Sequence, residues 1–213
     1  FRSVVEDTEL TITEDQAGNA LGSNCGNLHI HLDSGLETPG IPLLLAAHMD
    51  TVPPDPVDGQ VPVVVNGERI HTNGQSVLGG DDKLGIACAL EIVREAALDG
   101  RPLPRSIDIL FTIQEERGAR GAGFFDRTAL GAEHGLVLDG EHAVGEAIAH
   151  APTKYRYVLE ILGIRSHAAV DPDTGRNAVA AAGEIAGAIP LGRLANDLTS
   201  NVSAIEGGGP TNI

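Results

Sequence analysis

Aromatic side chains make up only 3% of the 213 residues and tryptophan is absent. Any core must therefore be built from Ala, Val, Leu and Ile, which a hydrophobic content of 42% allows. Basic residues are scarce as well: 14 Lys and Arg stand against 30 Asp and Glu, giving a net charge of −16. A phosphate backbone is held by Lys and Arg, so this balance excludes nucleic acid as an expected partner and suits a protein that gathers cations. Cysteine occurs twice, at Cys25 and Cys88, far apart and outside any CxxC spacing. No disulfide framework follows, and a reduced, cytoplasmic setting is expected. No apolar run is long enough to span a bilayer, and no basic stretch precedes an apolar one at the N-terminus, so neither a membrane anchor nor a signal peptide is expected. The length suits one large domain, or one and a part.

What is present is an alternation of apolar runs. "NLHIHLD" (27–33), "IPLLLAAHMD" (41–50), "RSIDILFTIQEE" (105–116) and "HGLVLDG" (134–140) read as strands, three of them continuous enough to be buried on both faces. "DDKLGIACALEIVREAALDG" (81–100) carries apolar residues at helical spacing and ends in Gly100, a candidate C-cap, before Pro102. "VPVVVNGERI" (61–70) reads as a hairpin about Asn66-Gly67. The expected fold class is α/β, a mainly parallel sheet with flanking helices, over residues 1–152. From 153 the texture changes. "TKYRYVLEILG" (153–163) and "TSNVSAIEGG" (199–208) alternate as half-exposed strands would, around a helix started by Asn177, so 153–213 reads as the start of an α+β lid or dimerisation domain.

The acids and histidines sit where strands end. His48 and Asp50 close the second strand, Glu115 and Glu116 the third, and Asp139 the fourth; Asp81 and Asp82, in "GGDDKLG", open the long helix. In a parallel sheet the carboxyl ends of the strands share one edge, where ligands bind. Carboxylates gathered there with one imidazole repel each other unless a cation joins them, and Zn²⁺, Mn²⁺ or Co²⁺ accept that donor set. Singly, each residue has an ordinary explanation: a core histidine, a helix-start acid, a surface Glu pair, a turn Asp. Four such groups at successive strand ends are a stronger sign. His48 and Asp50 lie two apart on one strand face, so Asp50 is placed to orient the imidazole.

These motifs in order (HMD, GGDDK, EERGARGA, LDG, then "SHAAVDPDTGRNAV" and "GGGPTNI") resemble the M20 family of dinuclear metallopeptidases, in particular its peptidase T-like branch. The resemblance implies two divalent ions, with Zn²⁺ first and Co²⁺ or Mn²⁺ as alternatives. Asp81 matches the carboxylate bridging them, His48 and Asp139 the other ligands of one ion, and Glu116 a ligand of the second. Asp82 is then a neighbour that supports the loop and helix start. Glu115 matches the general base and Asp50 the residue behind His48. His167, in "RSHAA", matches a histidine that reaches the partner subunit's active site and steadies the oxyanion, and Asn212 a substrate contact. A homodimer through the second domain and a short peptide substrate follow, with hydrolysis of the tripeptide aminopeptidase type.

The resemblance has departures. The family takes a further His ligand from a C-terminal segment, and His71, His134, His142 and His150 do not stand at its place. The family's N-terminal helix is also missing before Phe1, so the chain reads as a fragment. A related amidase, deacylase or carboxypeptidase acting on N-acyl amino acids, and a non-catalytic binding module, are the alternatives.

Overall fold

The structure, a computed structural model, describes residues 11–53, 60–99, 102–140 and 142–209 of the chain. Contacts divide it into two units, Phe1–Ala147 and Ile148–Ile213.

In the first unit the elements follow as β1 (Thr11–Glu14), α1 (Ala17–Leu21), β2 (Leu28–Leu32), β3 (Gly40–His48), β4 (Val63–Asn66), β5 (Arg69–Thr72), α2 (Gly80–Asp99), β6 (Arg105–Thr112) and β7 (His134–Val137). Five of these strands form one sheet in the order β1-β2-β6-β3-β7. β3 pairs with β6 and with β7 in parallel, while β1 and β2 complete the sheet antiparallel. The α/β architecture is as expected. The sheet itself is mixed, because periodicity shows which residues share a face but not the direction of a neighbour.

The core follows from the period of two. Ile30 and Leu32 of β2, Leu45 and Ala47 of β3, and Ile107, Ile109 and Phe111 of β6 turn to one face. There they meet Ala89 and Val93, one helical turn apart on α2. The opposite face of β6 carries Asp108, which is fully buried and accepts hydrogen bonds from a ring nitrogen of His29 (2.9 Å), a ring nitrogen of His31 (2.8 Å) and the Gly131 amide (2.9 Å). A charge in the middle of an apolar strand is thus matched by donors. Burial alone would raise its pKa, but the bonds from His31, His29 and Gly131 outweigh burial and hold it below the ordinary carboxylate value.

β4 and β5 form the expected hairpin with the turn one residue further on. Asn66 pairs with Arg69, leaving Gly67-Glu68 as the loop, with Gly67 at φ +61°. Glycine adopts that angle without steric cost, which places it first in the turn. The expected C-cap Gly100 lies outside the described residues.

The second unit departs further from expectation. The helix is present as α3 (Ala178–Ala188), with the Asn177 side chain accepting from the Ala180 amide at 3.0 Å. Residues 153–163, expected as a strand, carry none, and 199–208 contributes only the end of β9 (Leu198–Ser200), paired with β8 (Gly192–Ala195). A strand exists only where its backbone groups find a ladder partner. Among the described residues no strand pairs with 153–163, and most of its apolar side chains, Tyr155 and Tyr157 among them, are exposed.

Candidate metal centre

Six of the residues singled out above converge where β3, β6 and β7 end and α2 begins. Parallel pairing of β3 with both neighbours puts His48, the Glu115-Glu116 turn and Asp139 on one edge. His48 is buried. Its Nε2 lies 2.8 Å from Asp81 Oδ1 and 3.9 Å from Asp139 Oδ2. Two sets of donor atoms crowd within 4.8 Å of one another: His48, Glu115 and Asp139 form one, and His48, Asp81 and Glu116 the other.

Asp81 and Asp82 stand side by side in sequence but serve different partners. The residues are joined by a cis peptide, and neither has helical backbone angles, so regular helix begins only after them. The Asp81 side chain is mostly exposed and reaches His48. Asp82 is buried. Its Oδ1 accepts from the Gly85 amide at 3.0 Å, an N-terminal cap of α2, and its Oδ2 accepts from the His48 amide at 3.2 Å. A Cβ on Gly85 would stand 2.4 Å from Asp82 Oδ1, so a larger residue there would displace the Asp82 carboxylate. Asp82 thereby ties the helix start to the histidine strand. Lys83 adds a second tie, donating to the Met49 carbonyl at 2.8 Å.

Asp50 is closest to a different partner from the one its spacing suggests. His48 Nδ1 donates to the Asp50 backbone carbonyl at 2.8 Å, while the Asp50 carboxylate stays 3.6 Å away. That carboxylate instead accepts from the Glu115 amide at 2.9 Å and the Glu116 amide at 3.2 Å. The Nδ1 contact leaves Nε2 facing the acids.

Electrostatics follow from this crowding. Burial alone would lower the pKa of His48. The bond to Asp81, the Asp50 carbonyl and the charges of Asp139 and Asp81 outweigh it and raise the value. Asp139 is pushed up to about 6, by burial first and by the Asp81 carboxylate next, with His48 opposing. One imidazole does not neutralise so many acids. A divalent ion does, and donors crowded within 4.8 Å come close to the span of ligands held about 2.1 Å from a common ion. His nitrogen with carboxylate oxygens is a donor set that Zn²⁺, Mn²⁺ and Co²⁺ share. The residues fit.

The Asp139 shift has a checkable consequence. Its folded pKa lies above the unfolded value, so the folded protein binds the extra proton and loses stability as pH rises from about 4 to about 6. In chelated protein the loss is expected to be about 1–2 kcal/mol after allowance for partial exposure, and Asp139→Asn is expected to remove it. Urea unfolding across that range, with EDTA present, measures it.

Of the other residues singled out, His167 belongs to the second unit, where it is exposed and its ring nitrogen accepts from the Ala169 amide at 3.2 Å. Asn212 lies outside the described residues. The capping role of Asp82 was visible in sequence only as a helix-start acid, and the reach of Lys83 to Met49 left no signal at all. Cys25 and Cys88 are not bonded to each other. No helix among the described residues is long and apolar enough to cross a membrane.

Comparison with known proteins agrees with this geometry. Residues 44–205 match the family described as Peptidase family M20/M25/M40. The chain belongs to that family. Within it, the chain falls in the peptidase T-like branch. It is similar to the crystal structure of aminopeptidase PepT from Bacillus cereus ATCC 10987, with a TM-score of 0.72 and 30% identity, covering 99% of this chain and 55% of that one. A tripeptidase from Staphylococcus aureus Mu50 gives a TM-score of 0.73 and 29% identity, over 96% of this chain and 53% of that one. In sequence, the uncharacterised protein YqjE of Bacillus subtilis strain 168 is 35% identical over 210 residues, 97% of this chain and 54% of its own. The chain thus spans about half the length of these relatives.

Proposed function

We propose that the protein is a metal-dependent exopeptidase that removes the N-terminal residue of short peptides, tripeptides first among them. The observation that carries this reading is the pair of donor sets, each holding His48 with two carboxylates at one sheet edge. The names of the two structural relatives, an aminopeptidase and a tripeptidase, support the substrate class.

Two divalent ions, zinc in the first instance, would supply the charge that lowers the pKa of the attacking water and polarises the scissile carbonyl. His48, Asp81, Asp139 and Glu116 are the residues that would hold them, Asp81 serving both. Glu115 takes a proton from the attacking water and passes it to the leaving amine, so no covalent intermediate with the protein is formed. The Asp50 carboxylate fixes the backbone of both glutamates, so that the base and the neighbouring ligand keep their relative place. The second unit acts as a lid and dimerisation domain, bringing His167 to the oxyanion in the partner's active site and Asn212 to the substrate. The protein works as a cytoplasmic homodimer.

Elemental analysis of the intact protein, run beside a tripeptide hydrolysis assay, tests the reading. About two ions per chain are expected, with turnover lost on chelation and restored by Zn²⁺, Co²⁺ or Mn²⁺. Metal-free protein without turnover would move the function to a binding module. Cleavage of N-acyl amino acids in place of tripeptides would move it to a deacylase.

A further inference from the structure

The Glu115-Glu116 turn lies in a loop whose backbone is unusual. Gln114 and Ala119 have φ of +53° and +54°, and Gly118 has +93°. Such angles persist in residues other than glycine only where surrounding contacts impose them. The loop closes on itself at its base: the Gly121 amide donates to the Ile113 carbonyl at 3.0 Å and the Arg120 amide to the Gln114 carbonyl at 3.1 Å. From the metal side it is held by Asp50. From the opposite side it is held by Asn27.

Asn27 is completely buried and every hydrogen-bonding atom of its side chain is used. The ladder between β2 and β6 stops at the pair Leu28 and Phe111, one residue beyond which Asn27 stands. Its Oδ1 accepts from the Ile113 amide at 3.0 Å, and its Nδ2 donates to the Gly121 carbonyl at 2.9 Å. One side chain therefore grips both legs of the loop, as a neighbouring strand would. The remaining Nδ2 proton goes to Asp15 Oδ2 at 2.7 Å, and Asp15 Oδ1 accepts from the Asn27 amide at 2.8 Å and the Ala17 amide at 2.9 Å. Gln114 adds a bond from its Nε2 to the Leu21 carbonyl at 3.2 Å. A Cβ on Gly121 would stand 2.2 Å from the Ile113 carbonyl oxygen and 2.8 Å from Asn27 Oδ1, so the closure leaves no room for a larger residue.

We propose that Asn27 is a positioning residue that fixes Glu115 and Glu116 at the metal centre while touching neither ion nor substrate. This rests on the reading of those two glutamates given above. The test uses intact protein in three forms beside wild type. Asn27→Ala removes the grip. Ile30→Val, three residues on in the buried strand β2, is a control for general loosening of the core. The double variant Asp15→Asn with Asn27→Asp exchanges the two groups, so the bond between them and the acceptor for Ile113 are kept, while the donor to Gly121 is replaced by a carboxylate oxygen that the Gly121 carbonyl repels. It keeps the question answerable if Asn27→Ala does not fold.

Three quantities are read: the rate of native-state trypsin cleavage after Arg117 and Arg120, the affinity for Co²⁺ by titration, and kcat and KM on a tripeptide. Asn27→Ala and the double variant are expected to be cleaved in the loop about tenfold faster. Both are expected to bind Co²⁺ more weakly, and kcat is expected to fall about 100-fold with KM little changed, as displacement of reacting groups by about 1 Å produces. Ile30→Val is expected to show none of these. Folded variants whose cleavage and kcat match Ile30→Val would overturn the proposal. Faster cleavage with unchanged kcat also overturns it if Glu115→Ala is inactive; if Glu115→Ala is active too, the overturned statement is the role of Glu115 itself.

Discussion

Glu115→Ala is expected to lower kcat by about 10²–10⁴-fold, the usual contribution of a positioned general base, while the protein keeps its ions. The expectation follows from where the two glutamates stand. Both have their amides bound to the Asp50 carboxylate, yet Glu116 falls into the donor set with Asp81, and Glu115 into the set with Asp139. Glu115 is the more enclosed of the two. A carboxylate beside the ions but outside their coordination is the one free to move a proton. The isosteric Glu115→Gln variant sharpens the experiment, since it keeps the shape and removes the base. Elemental analysis beside kcat separates two outcomes. Metal retained with turnover lost supports the base. Metal lost with turnover makes Glu115 a ligand, a role its closeness to His48 and Asp139 also permits. Turnover within about tenfold of wild type would remove it from the chemistry altogether.

On the proposed two-ion centre, Asp81→Ala is expected to empty both ion positions together, with affinity falling by at least about 100-fold at each. A bridging carboxylate serves two ions, so its loss is felt twice. The same change takes from His48 Nε2 its 2.8 Å partner. Titration with Co²⁺, followed by its visible absorption, reads the two positions separately. Loss at one position alone would show that Asp81 does not bridge. That outcome has a geometric footing, because in the structure the residue common to both donor sets is His48.

Much of the fold was legible from residue pattern. The runs at 41–50, 105–116 and 134–140 became β3, β6 and β7, and the helical spacing of 81–100 became α2; β6 is buried as a continuous apolar run predicts, whereas β7, expected to be buried on both faces, is the edge strand and is exposed along its length. The half-exposed strands expected in the second unit were not formed at 153–163, since alternation specifies a face but supplies no partner. At the candidate metal centre, His48, Asp81, Glu115, Glu116 and Asp139 were legible because each stands at the end of a strand or the start of a helix. Topology then carries such positions to one edge whatever the details of packing.

By itself the sequence determined which residues meet there: the strand ends that carry them, the helix that begins with two acids, and an excess of carboxylates that calls for a cation. Only the tertiary structure decided what each group is bonded to. It turned Asp82 inward to the His48 amide, 34 positions away, while Asp81 faces the imidazole. It gave the Asp50 carboxylate to Glu115, 65 positions away, rather than to the histidine two residues before it. It brought Asn27 to Ile113 across 86 positions. The physical reason is the same in each case. Burial of apolar strands is written in local periodicity, but a hydrogen bond needs about 3 Å and a direction, and across a chain those are set only when the strands have packed.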